Sequence, residues 1–197
     1  MNEQHTQKLH TGIGTIDTPL GGYQKGTLNG LVARAGDGKT RALIEIANFV
    51  QGQAHDVLFF TLEETPENIE RRLVQYETIP DSHVYVHALS PSTMVDDIRT
   101  IVESEYSDKF HNHKYNLPLI IVDNIQLLRS YVPGSSATAH GLKQLAQDTG
   151  SVILVSDQLH RSLVGNQDLH VVAGRHVLDT LVQVEKDTYT VIKNCHA

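Results

Sequence analysis

The sequence feature that most constrains the fold is a glycine-rich turn between two segments of opposite pattern. Residues 33–40 read Ala-Arg-Ala-Gly-Asp-Gly-Lys-Thr, and they separate the apolar residues 28–33 from the amphipathic residues 42–50. A strand, a glycine-rich turn and a helix in this order form the context in which Gly-Lys-Thr indicates a phosphate loop. Glycine lets backbone N–H groups curl around phosphate oxygens, and the following helix N-terminus adds unpaired donors. The stretch therefore predicts that the chain binds a nucleoside triphosphate.

The residues of this loop have separate expected roles, and the expected ligands are ATP and Mg²⁺. Lys39 should reach the β- and γ-phosphates, and the Thr40 hydroxyl should contact Mg²⁺. The usual pattern begins with glycine where this chain has Ala33, which still fits the end of a buried strand. The alternative is a glycine-rich turn followed by a chance Lys-Thr pair, but the flanking elements favour the phosphate loop. The predicted nucleotide-binding residues are Ala35, Gly36, Asp37, Gly38, Lys39, Thr40 and Arg41.

Composition narrows the class of protein. A length of 197 residues predicts one domain, which we place at residues 11–197 after a flexible arm of residues 1–10. No apolar run approaches the length of a membrane span, and a single cysteine excludes an internal disulfide framework and suits a cytoplasmic location. The net charge of −7 argues against nucleic-acid binding by bulk charge alone. Any contact with nucleic acid must come from a local patch or from assembled subunits.

Strand-length apolar runs alternate with amphipathic segments along the chain. This alternation predicts an α/β fold with a mostly parallel sheet, helices on both faces and ligand at the carboxyl ends of the strands. The last two strands should form a hairpin. Residues 20–26, 107–116, 129–138 and 158–173 read as turns or loops. The predicted strands are 27–33, 56–62, 83–87, 117–123, 151–156, 181–185 and 189–193, and the predicted helices are 39–51, 66–79, 90–106 and 139–148.

Polar residues follow three of these strands. Glu63 ends the second strand, Asp123 ends the fourth, and residues 156–158 end the fifth. Because the carboxyl ends of parallel strands meet at one edge of the sheet, we expect these side chains to gather around the phosphate loop.

The same motifs resemble those of RecA-like phosphate-loop ATPases, and the resemblance spans roughly residues 11–197. Motifs of DnaB-type replicative helicases are similar to residues 33–40, 119–128 and 154–163. RadA-type recombination ATPases are similar at residues 11–22, 173–178 and 193–194. The clock ATPase KaiC is similar at residues 60–66. The resemblance implies a RecA-like ATPase that works as an oligomer, expected to be a hexameric ring. It would act on single-stranded DNA in replication or recombination, with other proteins of those processes as partners.

The resemblance also implies roles for residues at the strand ends. Asp123 would hold the Mg²⁺ shell together with Thr40, Glu63 would orient and activate the attacking water, and Gln158 would sense the γ-phosphate. An alternative for Glu63 is an acid that stabilises a helix N-terminus, a lesser role that Glu64 and Glu67 could fill. Gln158 could instead be an ordinary loop glutamine.

The C-terminus departs from the pattern of these families. They place Lys-x-Arg on the last strand to complete a neighbouring subunit's site, whereas this chain has Lys193 followed by Cys195. An arginine finger contributes about 10³ to 10⁵ in rate. A catalytic contribution from Lys193 alone would recover part of that, so the expectation is slow hydrolysis.

DNA contacts, by the same resemblance, would come from loops that follow the fourth and fifth strands. Arg129, Arg161 and Arg175 are the candidate DNA-binding residues, and the alternative is that these arginines are solvated or salt-bridged. Two other functions stay open. One is a KaiC-like switch in which ATP binding sets the oligomeric state, and the other is an accessory subunit without motor activity.

Overall fold

The computed structural model describes residues 8–73, 82–111, 119–129, 136–159 and 174–195, with the backbone alone for residues 105–111. Residues 1–7 of the predicted arm, Arg161 and most of the loop predicted at 158–173 lie outside this part. The elements are α1 Gly14–Leu20, β1 Leu28–Arg34, α2 Lys39–Gly52, β2 Val57–Thr61, α3 Pro66–Arg72, β3 Val84–Ala88, α4 Val95–His111, β4 Leu119–Asp123, a 3₁₀ turn Ile125–Leu127, α5 Ala137–Thr149, β5 Val152–Leu159, β6 Thr180–Glu185 and β7 Thr188–Asn194.

One sheet organises these elements, in the order β3-β2-β4-β5-β1-β6-β7. Every neighbouring pair is parallel except β6 and β7, which form the predicted antiparallel hairpin. All five residues of β2 and all five of β4 are buried, as expected for strands covered on both faces. The predicted α/β fold of the RecA-like type is confirmed, and the carboxyl ends of β1, β2, β4 and β5 share one edge.

Helices cover both faces of the sheet, so the core has two halves. On one face, buried Ile16 of α1, Leu43 of α2 and Ile69 of α3 pack against the sheet. On the other face, Ile98 of α4 and Leu142 of α5 do the same. In the described ranges, no helix is long and apolar enough to cross a membrane.

The helix α1 has no counterpart among the predicted elements, because Gly14 and Pro19 give residues 14–20 a weak helix propensity. Asp17 stabilises its start, since its carboxylate accepts hydrogen bonds from the N–H groups of Thr11 and Gly12 at 2.9 and 3.0 Å. Burial of Ile16 outweighs the weak local helix propensity. Leu9 is 2% exposed and pairs with Tyr23 through the backbone, so the core already includes a residue of the predicted arm.

Several other boundaries differ from the predictions. The helix α3 ends at Arg72 instead of residue 79, because Leu73 has an extended backbone, and α4 continues to His111, past its predicted end at 106. The helix α4 begins at Val95 instead of Ser90, because Ser90 and Thr93 form a hydrogen-bonded turn before it. The strand β5 continues to Leu159, and Gln158 pairs with Ala33 of β1. The loop predicted from residue 158 is therefore wrong at its start, and Gln158 is held by the sheet.

Candidate nucleotide site

The predicted phosphate loop connects β1 to α2 at the carboxyl edge of the sheet. Gly36 and Gly38 have φ values of 86° and 91°, a left-handed backbone that strongly favours glycine. An added Cβ at Gly36 would meet nothing within 4 Å, so the backbone angle, and not a lack of space, requires glycine there. The helix α2 starts immediately after its N-cap residue Gly38, which has no side chain to bond the first N–H groups. These donors are available to an anion at the loop.

Lys39 lies between two acidic residues that come from different strands. Its Nζ is 3.2 Å from Oε2 of Glu63 and 3.1 Å from Oδ1 of Asp123. Its side chain is 8% exposed, and Asp123 is fully buried. Two carboxylates and one ammonium stabilise each other here, because an unpaired charge at buried Lys39 or Asp123 would be costly. The structure thus brings the predicted ends of β2 and β4 to the phosphate loop.

Thr40 and Asp123 form the candidate Mg²⁺ site. The Thr40 hydroxyl donates to Oδ2 of Asp123 at 2.8 Å, and the buried Ser156 hydroxyl donates to Oδ1 of the same carboxylate. A hydroxyl beside a carboxylate offers the hard oxygen ligands that Mg²⁺ prefers, and the cation usually takes its other ligands from phosphate and water. The donor set therefore fits Mg²⁺ bound together with a nucleotide. Among the described residues, no three His, Cys, Asp or Glu side chains form a metal-binding group.

Three neighbouring acids after β2 face different partners. Glu63 contacts Lys39 and accepts a hydrogen bond on Oε1 from the Asn124 amide at 3.0 Å. Glu64 pairs instead with Arg72, at 2.9 Å. The pKa of Glu67 lies below its usual value, because its own backbone N–H and the Thr65 hydroxyl bond the ionised form. The alternative role of stabilising the α3 N-terminus thus suits Glu67, and Glu63 is the acid that faces the loop.

A cleft of about 380 Å³ opens above these groups. Gln158 lines it together with most of the predicted loop residues, although Asp37 does not. Arg34 and Arg72 also line the cleft, and sequence reasoning gave neither of them a role. Arg34 is part of the phosphate-loop motif, so the sequence could have indicated its position in the cleft. For Arg72, the only sequence signal is its helical spacing in α3. The lining residues are Arg34, Ala35, Gly36, Gly38, Lys39, Thr40, Arg41, Glu63, Arg72 and Gln158.

The tip of the β6–β7 hairpin lies against the phosphate loop. Arg41 pairs with Asp187 at 2.7 Å, and the Lys186 carbonyl lies 3.7 Å from where a Cβ at Gly38 would be. The Arg41–Asp187 pair is largely exposed, so we expect it to contribute less than about 1 kcal/mol to stability.

Lys193 and Cys195 lie away from the phosphate loop of their own chain. Lys193 pairs with Leu181, which aligns with Gly30 on β1, whereas the loop follows Arg34. The pairing register shifts between Leu181 and Val182, and Lys193 lies opposite Leu181, on the same face of the sheet. Its ammonium donates to the Leu178 carbonyl and, at 3.1 Å, to the Arg175 carbonyl. Cys195 is exposed, and its N–H bonds the Asp179 carbonyl at 3.0 Å.

Two of the predicted DNA-binding arginines flank the start of α5. Arg129 is exposed after the 3₁₀ turn and lines a pocket of about 100 Å³ together with Ala137 and Thr138. Arg175 follows Gly174, whose backbone packs closely on Ala139. Arg161 lies outside the described residues.

Comparison with known proteins identifies relatives of this fold. The family model described as "DnaB-like helicase C terminal domain" matches residues 8–108, just over half of the chain. One solved structure, of an isolated ATPase domain, is similar, with a TM-score of 0.79 and 15% identity over 99% of this chain and 86% of that one. A DnaB-like replicative helicase, whose structure was described with its interactions with primase, also has a TM-score of 0.79 and 15% identity.

The chain corresponds to only part of the replicative helicase. The alignment to the replicative helicase covers 97% of this chain but 57% of the helicase, so the chain spans just over half of that relative's length. At 15% identity, the structural likeness shows the fold. No curated protein matches the sequence.

Proposed function

Because the chain belongs to the DnaB-like helicase C-terminal domain family, we propose that it hydrolyses MgATP as an oligomeric motor on single-stranded DNA. The process would be DNA replication or recombination, in the cytoplasm. The observation that carries this proposal is the convergence of Lys39, Glu63 and Asp123 beside Thr40, at the start of α2. These residues come from three separate strand ends, and together they supply the groups that phosphoryl transfer to water requires.

Nucleotide binding would rearrange the contacts of Lys39. In the structure, its ammonium is neutralised by Glu63 and Asp123 at 3.1–3.2 Å. The triphosphate would compete for this ammonium and for the uncapped N–H groups of α2. Thr40 and Asp123 would hold Mg²⁺, which when bound neutralises charge on the phosphates. Ser156 would keep the Asp123 carboxylate oriented during this exchange, because its hydroxyl already donates to Oδ1.

Release of Lys39 would prepare Glu63 for catalysis. Oε2 of Glu63, which Lys39 contacts, would become free to accept a proton from water, while Oε1 stays bonded to Asn124. Gln158 would report the γ-phosphate from the end of β5, since it lines the same cleft. Arg72 and Arg34 would add positive charge around the triphosphate from the cleft wall.

Assembly would bring the last strand to a neighbouring subunit's nucleotide. Lys193 and Cys195 lie away from their own phosphate loop, so a role in ATP chemistry requires a second copy of the chain. A thiol is a weak donor and is mostly uncharged at neutral pH, so Cys195 cannot replace an arginine finger. We therefore expect slow basal turnover even in the assembled protein, expected to be a hexamer.

Single-stranded DNA would contact Arg129 and Arg175, which flank the start of α5, and also Arg161. If Arg129, Arg161 and Arg175 each neutralised one phosphate, the salt slope per subunit would be about −2. That is weak for one subunit and sufficient for a ring. A replication partner such as a primase is consistent with the helicase relative whose structure was described with primase.

A second candidate function is a nucleotide-dependent switch or an accessory subunit without motor activity. Two observations favour it over a fast motor. Cys195 stands where the related families have arginine, and the Lys193 ammonium is bonded to carbonyls of its own chain. In this case ATP would set the oligomeric state without rapid turnover.

ATP turnover with and without single-stranded DNA, measured alongside size determination, tests the proposal. We expect slow basal turnover and roughly tenfold stimulation by DNA once the protein is oligomeric. Arg129→Ala should reduce the stimulation. Arg99→Ala is the matched control, because this arginine of α4 is paired with Glu103 and Asp148 and is not among the predicted DNA-binding residues. Assembly that needs ATP but shows no stimulation would favour the switch.

A further inference from the structure

A chain of hydrogen bonds runs from Glu63 to the end of β5 through the turn that follows β4. The Asn124 amide donates to Oε1 of Glu63 at 3.0 Å. The Oδ1 atom of Asn124 accepts the backbone N–H of Gln126 at 2.9 Å. The Gln126 side chain then donates from Nε2 to the Gln158 carbonyl, also at 2.9 Å. These contacts connect the predicted catalytic acid with the predicted γ-phosphate sensor. The proposed function includes Asn124 only as a hydrogen-bond partner of Glu63, and it gives Gln126 no role.

The orientation of Asn124 follows from hydrogen-bond chemistry. The Gln126 N–H can only donate, so the atom facing it must be the amide oxygen. The amide nitrogen then faces the Glu63 carboxylate, which can accept when ionised. Asn124 is 2% exposed, so a flipped amide would leave its own buried oxygen and nitrogen facing groups with which they cannot form hydrogen bonds. The side chain is therefore held in one orientation by its two neighbours.

Glu63 needs such support because its second oxygen loses a partner when nucleotide binds. Lys39 contacts Oε2 and would turn to the phosphates, which leaves that oxygen for water. The donor on Oε1 would then decide the direction in which the carboxylate points. Small errors in the placement of a general base lower the rate strongly, whereas they leave ground-state binding almost unchanged.

We propose that Asn124 is a positioning residue for Glu63, and that Gln126 ties its turn to the carboxyl end of β5 at Gln158. The inference rests on the proposed function, in which Glu63 activates water. It predicts a loss of kcat without a loss of nucleotide binding when the Asn124 donor is removed. Movement at the end of β5, where Gln158 meets the cleft, would reach Glu63 through the same three hydrogen bonds.

The test uses Asn124→Ser in the full chain. A serine oxygen can still accept the Gln126 N–H and so preserve the turn, but serine is too short to reach Glu63. We expect kcat to fall about tenfold, with ATP affinity and KM within about twofold of wild type. Leu127→Ser is the matched control, because Leu127 lies on the same turn with 42% of its surface exposed. This control should keep the wild-type kcat.

A double variant separates positioning from a structural effect. If Asn124 acts through Glu63, adding Asn124→Ser to Glu63→Ala should change single-turnover hydrolysis by less than about twofold. A further tenfold loss in that background would overturn the inference, as would a wild-type kcat in Asn124→Ser alone. A wild-type protein that binds ATP but never hydrolyses it would overturn the proposed hydrolysis and this inference together. If the wild type hydrolyses ATP and Asn124→Ser has the same kcat, the inference about Asn124 is overturned while the proposed hydrolysis stands.

Discussion

Lys39→Ala is expected to weaken ATP binding by roughly 100-fold or more, since it removes the ammonium that would bridge the β- and γ-phosphates. The fold should persist, because Asp123 keeps its hydrogen bonds from Thr40 and Ser156. Stability should nevertheless fall by about 1–3 kcal/mol, since a buried carboxylate loses its counterion. Titration calorimetry measures the affinity, and thermal unfolding measures the stability.

The control for this variant is Lys25→Ala, which removes an exposed lysine outside the cleft lining. It should bind ATP as the wild type does. An unchanged ATP affinity in Lys39→Ala would remove the basis for placing the triphosphate at residues 35–41.

Glu63→Gln is expected to lower kcat by roughly 100-fold or more while ATP affinity stays within about twofold. Glutamine keeps the size of the side chain and can still accept the Asn124 hydrogen bond, but it cannot take a proton from water. Glu64→Gln is the matched variant, because Glu64 faces Arg72 at 2.9 Å and does not contact Lys39. Its kcat should stay within about threefold of wild type.

Single-turnover hydrolysis at saturating ATP compares the two variants without interference from product release. Equal losses, or a larger loss in Glu64→Gln, would mean that the wrong acid has been assigned to water activation.

Much of the fold could be predicted because strong local signals agreed with the tertiary structure. The strands that end in Thr61 and Asp123 are continuous apolar runs, and both are fully buried. The helix α3 begins at Pro66 as predicted, because proline suits the first turn of a helix. The helix α1 could not be predicted, since its stability comes from burial of Ile16 and from the Asp17 hydrogen bonds, which depend on the folded chain.

The site residues that lie at the ends of strands could be predicted, because the parallel sheet topology determines where those ends lie. Parallel strands place Glu63 and Asp123 at the edge that carries the phosphate loop, and the structure brings both within 3.2 Å of Lys39. The contributions of Asn124 and Arg72 could not be predicted, because they depend on side-chain directions in the folded chain. Asn124 lies inside the motif that resembles the helicases, but its amide donates to a residue 61 positions earlier.

The C-terminal strand shows a different limit of sequence reasoning. The Lys-x-Cys pattern predicts that Lys193 contributes to the nucleotide site of a neighbouring subunit. Its ammonium instead donates to the carbonyls of Arg175 and Leu178 in its own chain, and the register shift beside it leaves no clear signal in the sequence. Lys193 would have to exchange these contacts before it could reach a neighbour's phosphate.

The most direct test of the account is the structure of the protein with Mg²⁺ and a non-hydrolysable ATP analogue. We expect the triphosphate along the backbone of residues 35–40, and Mg²⁺ beside Thr40 and Asp123. Lys39 should have moved from Glu63 to the phosphates, and Glu63 should face the γ-phosphate with its Asn124 hydrogen bond intact. A nucleotide bound elsewhere, or Lys39 still between Glu63 and Asp123 with the analogue in place, would contradict the account.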